Sequence, residues 1–317
     1  MSADPEPRAE PEPRAEPDPR AEPDPRVGPS AEANGTPSEP VEVGLVGTGP
    51  WARDMHAPVL AAGPETRLAA VWGRRSGAAA ALAAEYGAVP VPDFDELLNR
   101  CEAVAFAVPP AVQAELAPRA ALAGRAVLLE KPLGPDLASA RRVAGAVAEA
   151  GVVSQMVLTK RYHPATRAFL ARAAEVASAT PFIGARSCYL HGAFLDGEQA
   201  TAWRLEHGAL LDLGPHLLDL LDEAIGPIAS VRAAGDPRSW VELTCEHESG
   251  AVSQASLSGS VRLPRARTRV ELFGAGEGLV YDTAGIDDAE CRPVLRAEFA
   301  AAVRSGRPGR VTAARGL

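Results

Sequence analysis

The chain is predicted to be an α/β protein. A doubly wound parallel sheet of Rossmann type comes first, and an α+β domain on a mostly antiparallel open sheet follows. Three observations predict this. Four short apolar runs, "VEVGLVG", "RLAAVWG", "EAVAFAVPP" and "AVLLEKP", are bounded by Gly or Pro and separated by Ala-rich stretches of helix length, the pattern of βαβ units around a parallel sheet. The first run ends in a glycine turn and leads into a helical stretch. Beyond about Thr159, "SVRAAG", "SWVELTCEH", "GAVSQASLSGSV", "RTRVELFG" and "GLVYD" follow one another without helices between them, which implies antiparallel pairing.

Residues 1–40 repeat a six-residue unit dense in Pro, Glu and Arg and poor in apolar side chains. Such a segment cannot bury enough surface to offset chain entropy, so a disordered tail is expected there. The dinucleotide-binding domain is expected over 41–159. Within it, Gly87 and Gly124 stand where helix C-caps belong, and "PDLASARRVAGAVAEAG" reads as a helix closed by glycine. Pro58 should kink or split the first helix. A second domain, of α+β type, is expected over 160–317. It holds the helix "ATRAFLARAAEVASA" and a helical motif near residue 212.

Composition excludes several functions. No apolar run reaches the roughly 20 residues that span a bilayer, so no membrane segment is expected. No signal-peptide core is evident at the N-terminus, and the four cysteines lie far apart without CxxC spacing; a reducing cytoplasm without structural zinc fits best. Net charge is −9, of which residues 1–40 carry −6 (ten Asp/Glu against four Arg), leaving −3 for the rest. Nothing marks a nucleic-acid footprint, and a small-molecule substrate is the expected partner.

Three motifs carry the chemistry. "VGLVGTGPWA" sets Gly47, Thr48, Gly49, Trp51 and Ala52 between a strand and a helix. Gly47 would permit the tight turn, Gly49 the approach of a pyrophosphate, and Ala52 close helix–strand packing. The second strand ends in Gly73, Arg74 and Arg75, where an NAD-binding fold usually places an acid. Guanidinium groups suit a 2′-phosphate, so NADP is expected over NAD. In "LLEKPLG", Lys131 closes a parallel strand, the end at which open α/β sheets bind ligands. It is one of only two lysines; the 32 Lys and Arg are otherwise thirty arginines. Lysine can shift its pKa and exchange a proton at neutral pH, and arginine cannot. Lys160, in "LTKRYHP", is the second candidate.

"HGALLDLGPHLLDLLDEAIG" supplies Asp212, His216 and Asp219. In one helix Asp212 and His216 would share a face, the carboxylate orienting the imidazole for acid/base work. Spacing alone favours a structural helix with a satisfied histidine over a catalytic one. No third ligand stands near for a metal.

Together, "GLVGTGPWA", "LLEKPLG" and "GALLDLGPHLLDLLD" resemble the glucose-fructose oxidoreductase/inositol dehydrogenase/MocA family, in its motif order from Val41 onward. The resemblance implies a Rossmann domain and a C-terminal domain whose open sheet supports homo-oligomers. It implies that Lys131 contacts substrate and nicotinamide, that Asp212 and His216 are the acid/base pair, and that Glu130, Val108 and Pro109 lie on the cofactor side. The expected activity is NADP-dependent hydride transfer at a hydroxyl or carbonyl carbon of a sugar, cyclitol or polyol. The same fold could serve a nucleotide-binding sensor, or a reductase of an imine or conjugated double bond. Two departures stand out: His207 and a single Gly208 replace a run of glycines, and "AEFAAAVRSGRPGRVTAARGL" ends where relatives usually continue into a final helix. The second bears on the domain edge and on assembly more than on chemistry.

Overall fold

The computed structural model describes residues 39–197 and 200–317; the expected tail, apart from its last two residues, lies outside the described residues. From Glu39 onward the chain forms one compact unit built on two six-stranded sheets.

The first sheet is wholly parallel. Its strands are β1 (Val41–Val46), β2 (Thr66–Trp72), β3 (Val89–Pro90), β4 (Ala103–Phe106), β5 (Ala126–Leu129) and β6 (Ser154–Met156), in the order β3-β2-β1-β4-β5-β6. Helices α1 (Ala57–Ala61), α2 (Ser76–Glu85), α3 (Phe94–Asn99), α4 (Pro110–Leu122) and α5 (Leu137–Ala150) connect them. Strands covered on both faces must be apolar throughout, and all four residues of β4 and of β5 are buried. Asp93 and Asp136 cap α3 and α5, accepting bonds from the Glu96 and Ser139 amides.

The expected disturbance at Pro58 takes a definite form. A π-helical turn over Ala52–His56 precedes α1, with the Ala57 amide donating to the Ala52 carbonyl. Pro58 follows at once, in the first turn of α1, so the widened turn stands directly before the residue that cannot donate.

A 3-10 turn (Thr159–Tyr162) and α6 (Pro164–Ala179) lead to the second sheet. Its strands are β7 (Phe182–Leu190), β8 (Ile228–Asp236), β9 (Trp240–His247), β10 (Val252–Ser258), β11 (Arg267–Gly274) and β12 (Leu279–Asp282), in the order β12-β11-β7-β10-β9-β8. Only β7 and β10 pair in parallel. Burial alternates along β9 and β11, so one face is covered and the other open. Ile183, Val252, Phe273 and Val280 stand exposed. Between β7 and β8 lie α7 (Ala202–Asp212) and α8 (Gly214–Ile225), and α8 buries Leu217, Leu220, Leu221 and Ala224, the spacing of an apolar helix face.

The last helix, α9 (Cys291–Ser305), does not stay with the second sheet. Its Leu295, Phe299 and Ala302, with Val311 and Ala313 beyond it, belong to the core of the first sheet. Polar bonds secure the return. Gln155 donates to the Leu295 carbonyl at 2.9 Å, the Met156 amide to Val311 at 2.7 Å, and Arg296 to Glu65 at 2.7 Å. The first sheet thus ends at Met156 and the second begins at Phe182, while the apolar side chains of 291–313 return to the first core.

Candidate active site

Strand order reverses about β1 and β4, and a parallel sheet opens its ligand crevice at such a point, beyond the carboxyl ends of the strands. Gly47 follows β1 there with φ +125°, and a Cβ on it would lie 2.3 Å from the Ala107 carbonyl oxygen at the end of β4. Only glycine fits. At Gly49 a Cβ would meet nothing within 4 Å, so the backbone faces open space. Ala52 is wholly buried. Thr48 packs under Gly73, where a Cβ would come within 2.9 Å of the Thr48 methyl. The loop therefore offers backbone to a ligand and fits a dinucleotide's phosphates. Arg74 and Arg75 are exposed at the end of β2, beyond the cavity lining.

Next to this loop opens a cavity of about 920 Å³, lined by Gly49, Trp51, Val108, Pro109, Glu130 and Lys131 on one side and by Tyr189, His191, Arg204, Asp212 and His216 on another. Glu130 is 8% exposed. Its Oε1 accepts from Trp51 Nε1 at 2.5 Å and lies 2.8 Å from His56 Nε2. The backbone beneath is clamped by Gln113, whose Nε2 donates to the Glu130 and Leu133 carbonyls (2.8 and 3.1 Å) while its Oε1 accepts the Glu130 amide at 2.8 Å. A fully buried amide bonded on both ends fixes the loop that carries Lys131.

Lys131 Nζ donates to Asp212 Oδ1 and to the Asp212 carbonyl, both at 2.7 Å. Arg204 Nε lies 3.0 Å from the other carboxylate oxygen. Asp212 is 2% exposed. Burial alone would raise its pKa, but Lys131 and Arg204 outweigh burial and hold it at about 2.

No hydrogen bond joins Asp212 to His216 among the described residues, although the Asp212 charge acts on the imidazole. α7 ends at Asp212 and α8 begins at Gly214, so the two residues do not stand one turn apart on a continuous helix. A second break lies at Gly208 (φ +70°), where a Cβ would come within 2.4 Å of the Pro237 carbonyl. Asp212 serves the two cations instead. Asp219, expected on the same face, bonds Arg315 Nε at 2.6 Å and lies 3.6 Å from Arg161. His216 is 6% exposed and meets Tyr189 edge-on with ring centroids 6.1 Å apart. Burial, then Lys131 and Lys160, press its pKa well below the usual imidazole range, so it is neutral. Its Nδ1 is sealed without a hydrogen-bond partner, which leaves Nε2 to meet a ligand.

Sequence reading gave no role to Tyr189, His191, Gln113 or His56. None of them lies at motif spacing from Lys131; the end of β7 brings in Tyr189 and His191, α4 brings Gln113, and the π-helical turn after the glycine loop brings His56. Burial lowers the His191 pKa to about 4. His207, near the motif, stacks on Trp203 and is absent from the cavity lining. Among the described residues no group of three His, Cys, Asp or Glu could hold a metal ion. The four cysteines are free, and no described helix is long and apolar enough to cross a membrane.

Comparison with known proteins bears on the family and the fold. Residues 41–158 match the model of an oxidoreductase family with an NAD-binding Rossmann fold, and residues 184–280 match the GFO/IDH/MocA C-terminal domain. The chain is 30% identical over 285 residues to a dTDP-3,4-didehydro-2,6-dideoxy-alpha-D-glucose 3-reductase of Streptomyces violaceoruber, covering 81% of this chain and 77% of that protein. It is 28% identical to a UDP-N-acetylglucosamine 3-dehydrogenase of Acidithiobacillus ferrooxidans, over 73% of this chain and 71% of the other. Among solved structures, GenD2 from gentamicin A biosynthesis, in complex with NAD, superposes with a TM-score of 0.76 at 25% identity, over 90% of this chain and 93% of that one. Levoglucosan dehydrogenase, in complex with NADH and L-sorbose, shares the fold with a TM-score of 0.78 at 18% identity, over 87% and 93%.

Proposed function

The chain belongs to the Gfo/Idh/MocA family of NAD(P)-dependent oxidoreductases, and from that premise we propose that it moves a hydride between nicotinamide and a hydroxyl or carbonyl carbon of a sugar or related polyol, with NADP as its cofactor. One observation carries the reading. Lys131, Asp212 and His216 meet on one cavity beside an open glycine loop at the switch point of the parallel sheet.

The nicotinamide, when bound, accepts or supplies the hydride. The chain does the rest. The backbone of Gly47 to Gly49 cradles the pyrophosphate, and Glu130, braced by Trp51 and His56, borders the nicotinamide side with Val108 and Pro109. The Lys131 ammonium, held by Asp212, polarises the substrate oxygen. His216 Nε2 takes the hydroxyl proton in oxidation; its low basicity makes the imidazolium a strong acid, ready to return that proton to a carbonyl oxygen in reduction.

Arg74 and Arg75 support NADP, since exposed guanidinium groups stand where a carboxylate would repel the 2′-phosphate. Self-association is assigned to the second sheet's open face, where Ile183, Phe273 and Val280 lie exposed.

The test follows the reduced-nicotinamide absorbance with NADP and NAD against a panel of sugars and polyols, and with NADPH and NADH against keto sugars. Lys131→Met and His216→Ala should abolish turnover while still binding cofactor. Full turnover in both variants refutes the site. Arg74→Ala/Arg75→Ala should weaken NADPH about tenfold or more and leave NADH affinity unchanged; equal losses for both refute the NADP assignment.

A further inference from the structure

Both lysines of this chain line the same cavity. Lys131 has a counter-ion in Asp212. Lys160 has none: it is 8% exposed, and no carboxylate pairs with it among the described residues. Its Nζ sits 4.5 Å from the centroid of the Tyr189 ring, a ring that His191 and His216 also meet edge-on. The next residue, Arg161, turns the other way, 2.9 Å from Glu223 and 3.6 Å from Asp219. The two adjacent cations are therefore sorted, the arginine toward fixed carboxylates and the lysine into the cavity.

A buried cation without a partner is costly. Burial already draws the Lys160 pKa down to about 8, with Asp288 pulling the other way from beyond ion-pair range. A ring face offsets only part of that cost. The two buried carboxylates of the cavity wall are already engaged elsewhere, Glu130 by Trp51 and His56 and Asp212 by Lys131 and Arg204. Asp287 and Asp288 are exposed, and the Asp287 carboxylate accepts the Ala289 amide.

We propose that Lys160 is a specificity residue whose ammonium receives an anionic group, a carboxylate or a phosphate, carried by the sugar that fills this cavity. The site thereby prefers acidic sugars to neutral ones. The inference rests on the oxidoreductase reading only in calling that sugar a substrate, so its test measures binding.

The full-length protein, saturated with NADPH, is titrated calorimetrically with D-glucuronate, D-galacturonate, glucose 6-phosphate and galactose 6-phosphate, each against its neutral hexose. Wild type should bind at least one acidic sugar tenfold or more tighter than the matching hexose, and the uronate and phosphate arms show which anion is read. Lys160→Met should bring that ratio close to one, and Lys160→Arg should keep most of it, each variant first shown to be folded by its melting curve. A wild type that binds no acidic sugar tighter than its hexose overturns the proposal, as does a Lys160→Met protein that keeps the preference. The two readings fail separately. Acid preference without any change in nicotinamide absorbance upholds Lys160 and removes the oxidoreductase; turnover of neutral sugars without preference does the reverse.

Discussion

Lys131 Nζ reaches across from the loop after β5 to bond the last residue of α7, Asp212, twice at 2.7 Å, once to its carboxylate and once to its backbone carbonyl. The ion pair thus joins the first sheet to the helical layer of the second, and it does so at the candidate reacting centre. Asp212→Asn keeps the shape but removes the charge that two cations share. We expect kcat/KM to fall about 100-fold, the scale of a lost acid/base contribution, with cofactor affinity within threefold of wild type. Steady-state kinetics beside a cofactor titration checks this.

The two loop glycines make opposite predictions. Gly47→Ala would force a Cβ to 2.3 Å from the Ala107 carbonyl at a φ of +125°, so the melting temperature should drop by several degrees and cofactor binding should be lost. Gly49→Ala meets no atom within 4 Å. It should melt like wild type and yet bind NADPH at least tenfold more weakly, because the methyl occupies space meant for phosphate. Differential scanning fluorimetry with and without cofactor separates the two effects.

Stability should fall as the solution is acidified through the histidine range. His191 titrates at about 4 in the fold, and at about 6.5 when exposed; burial lowers His216 as well. Between those values the unfolded chain binds protons that the folded one refuses, so stability rises with pH. Asp212 adds a lower window: its stabilisation is complete above its ordinary 3.8 and is lost as pH falls through about 2. The melting temperature should therefore decline from pH 7 to pH 4, and His191→Gln should make that decline shallower. An unchanged slope in the variant would contradict the assignment.

Arg315, two residues before Leu317, ties α8 in place through Asp219 and Asp222, both at 2.6 Å. Asp219 is 8% exposed, and without Arg315 its hydrogen-bonded partner is gone and only Arg161, 3.6 Å away, remains as a counter-charge. Arg315→Ala should cost about 3 kcal/mol, read as a lower urea midpoint with an unchanged m-value. Adding Asp219→Asn should recover part of the loss, because the stranded charge goes with it.

Much of this layout can be read from sequence, for a physical reason. Strands buried on both faces must be apolar throughout, so β1, β2, β4 and β5 announce themselves and place the glycine loop and Lys131 at their carboxyl ends. Asp212 and His216 stand out as residue types, but their relation does not, because it depends on a helix break at Leu213 that an unbroken i, i+4 pattern conceals. Gln113 and Arg315 act across 17 and 96 residues of sequence, and no local period encodes such pairings. The apolar spacing of Leu295, Phe299 and Ala302 marks an amphipathic helix without saying which of two sheets receives it.

The return of α9 to the first core makes the second sheet an excursion rather than an appendage. The polypeptide leaves the first body through the segment holding Thr159 and Lys160 and re-enters through the one holding Asp288 and Cys291, and both segments line the cavity. These passages do not act alone: Lys131 with Asp212, and Arg315 with Asp219 and Asp222, bridge the same two layers, so the walls of the cavity are held together by covalent chain and by ion pairs alike.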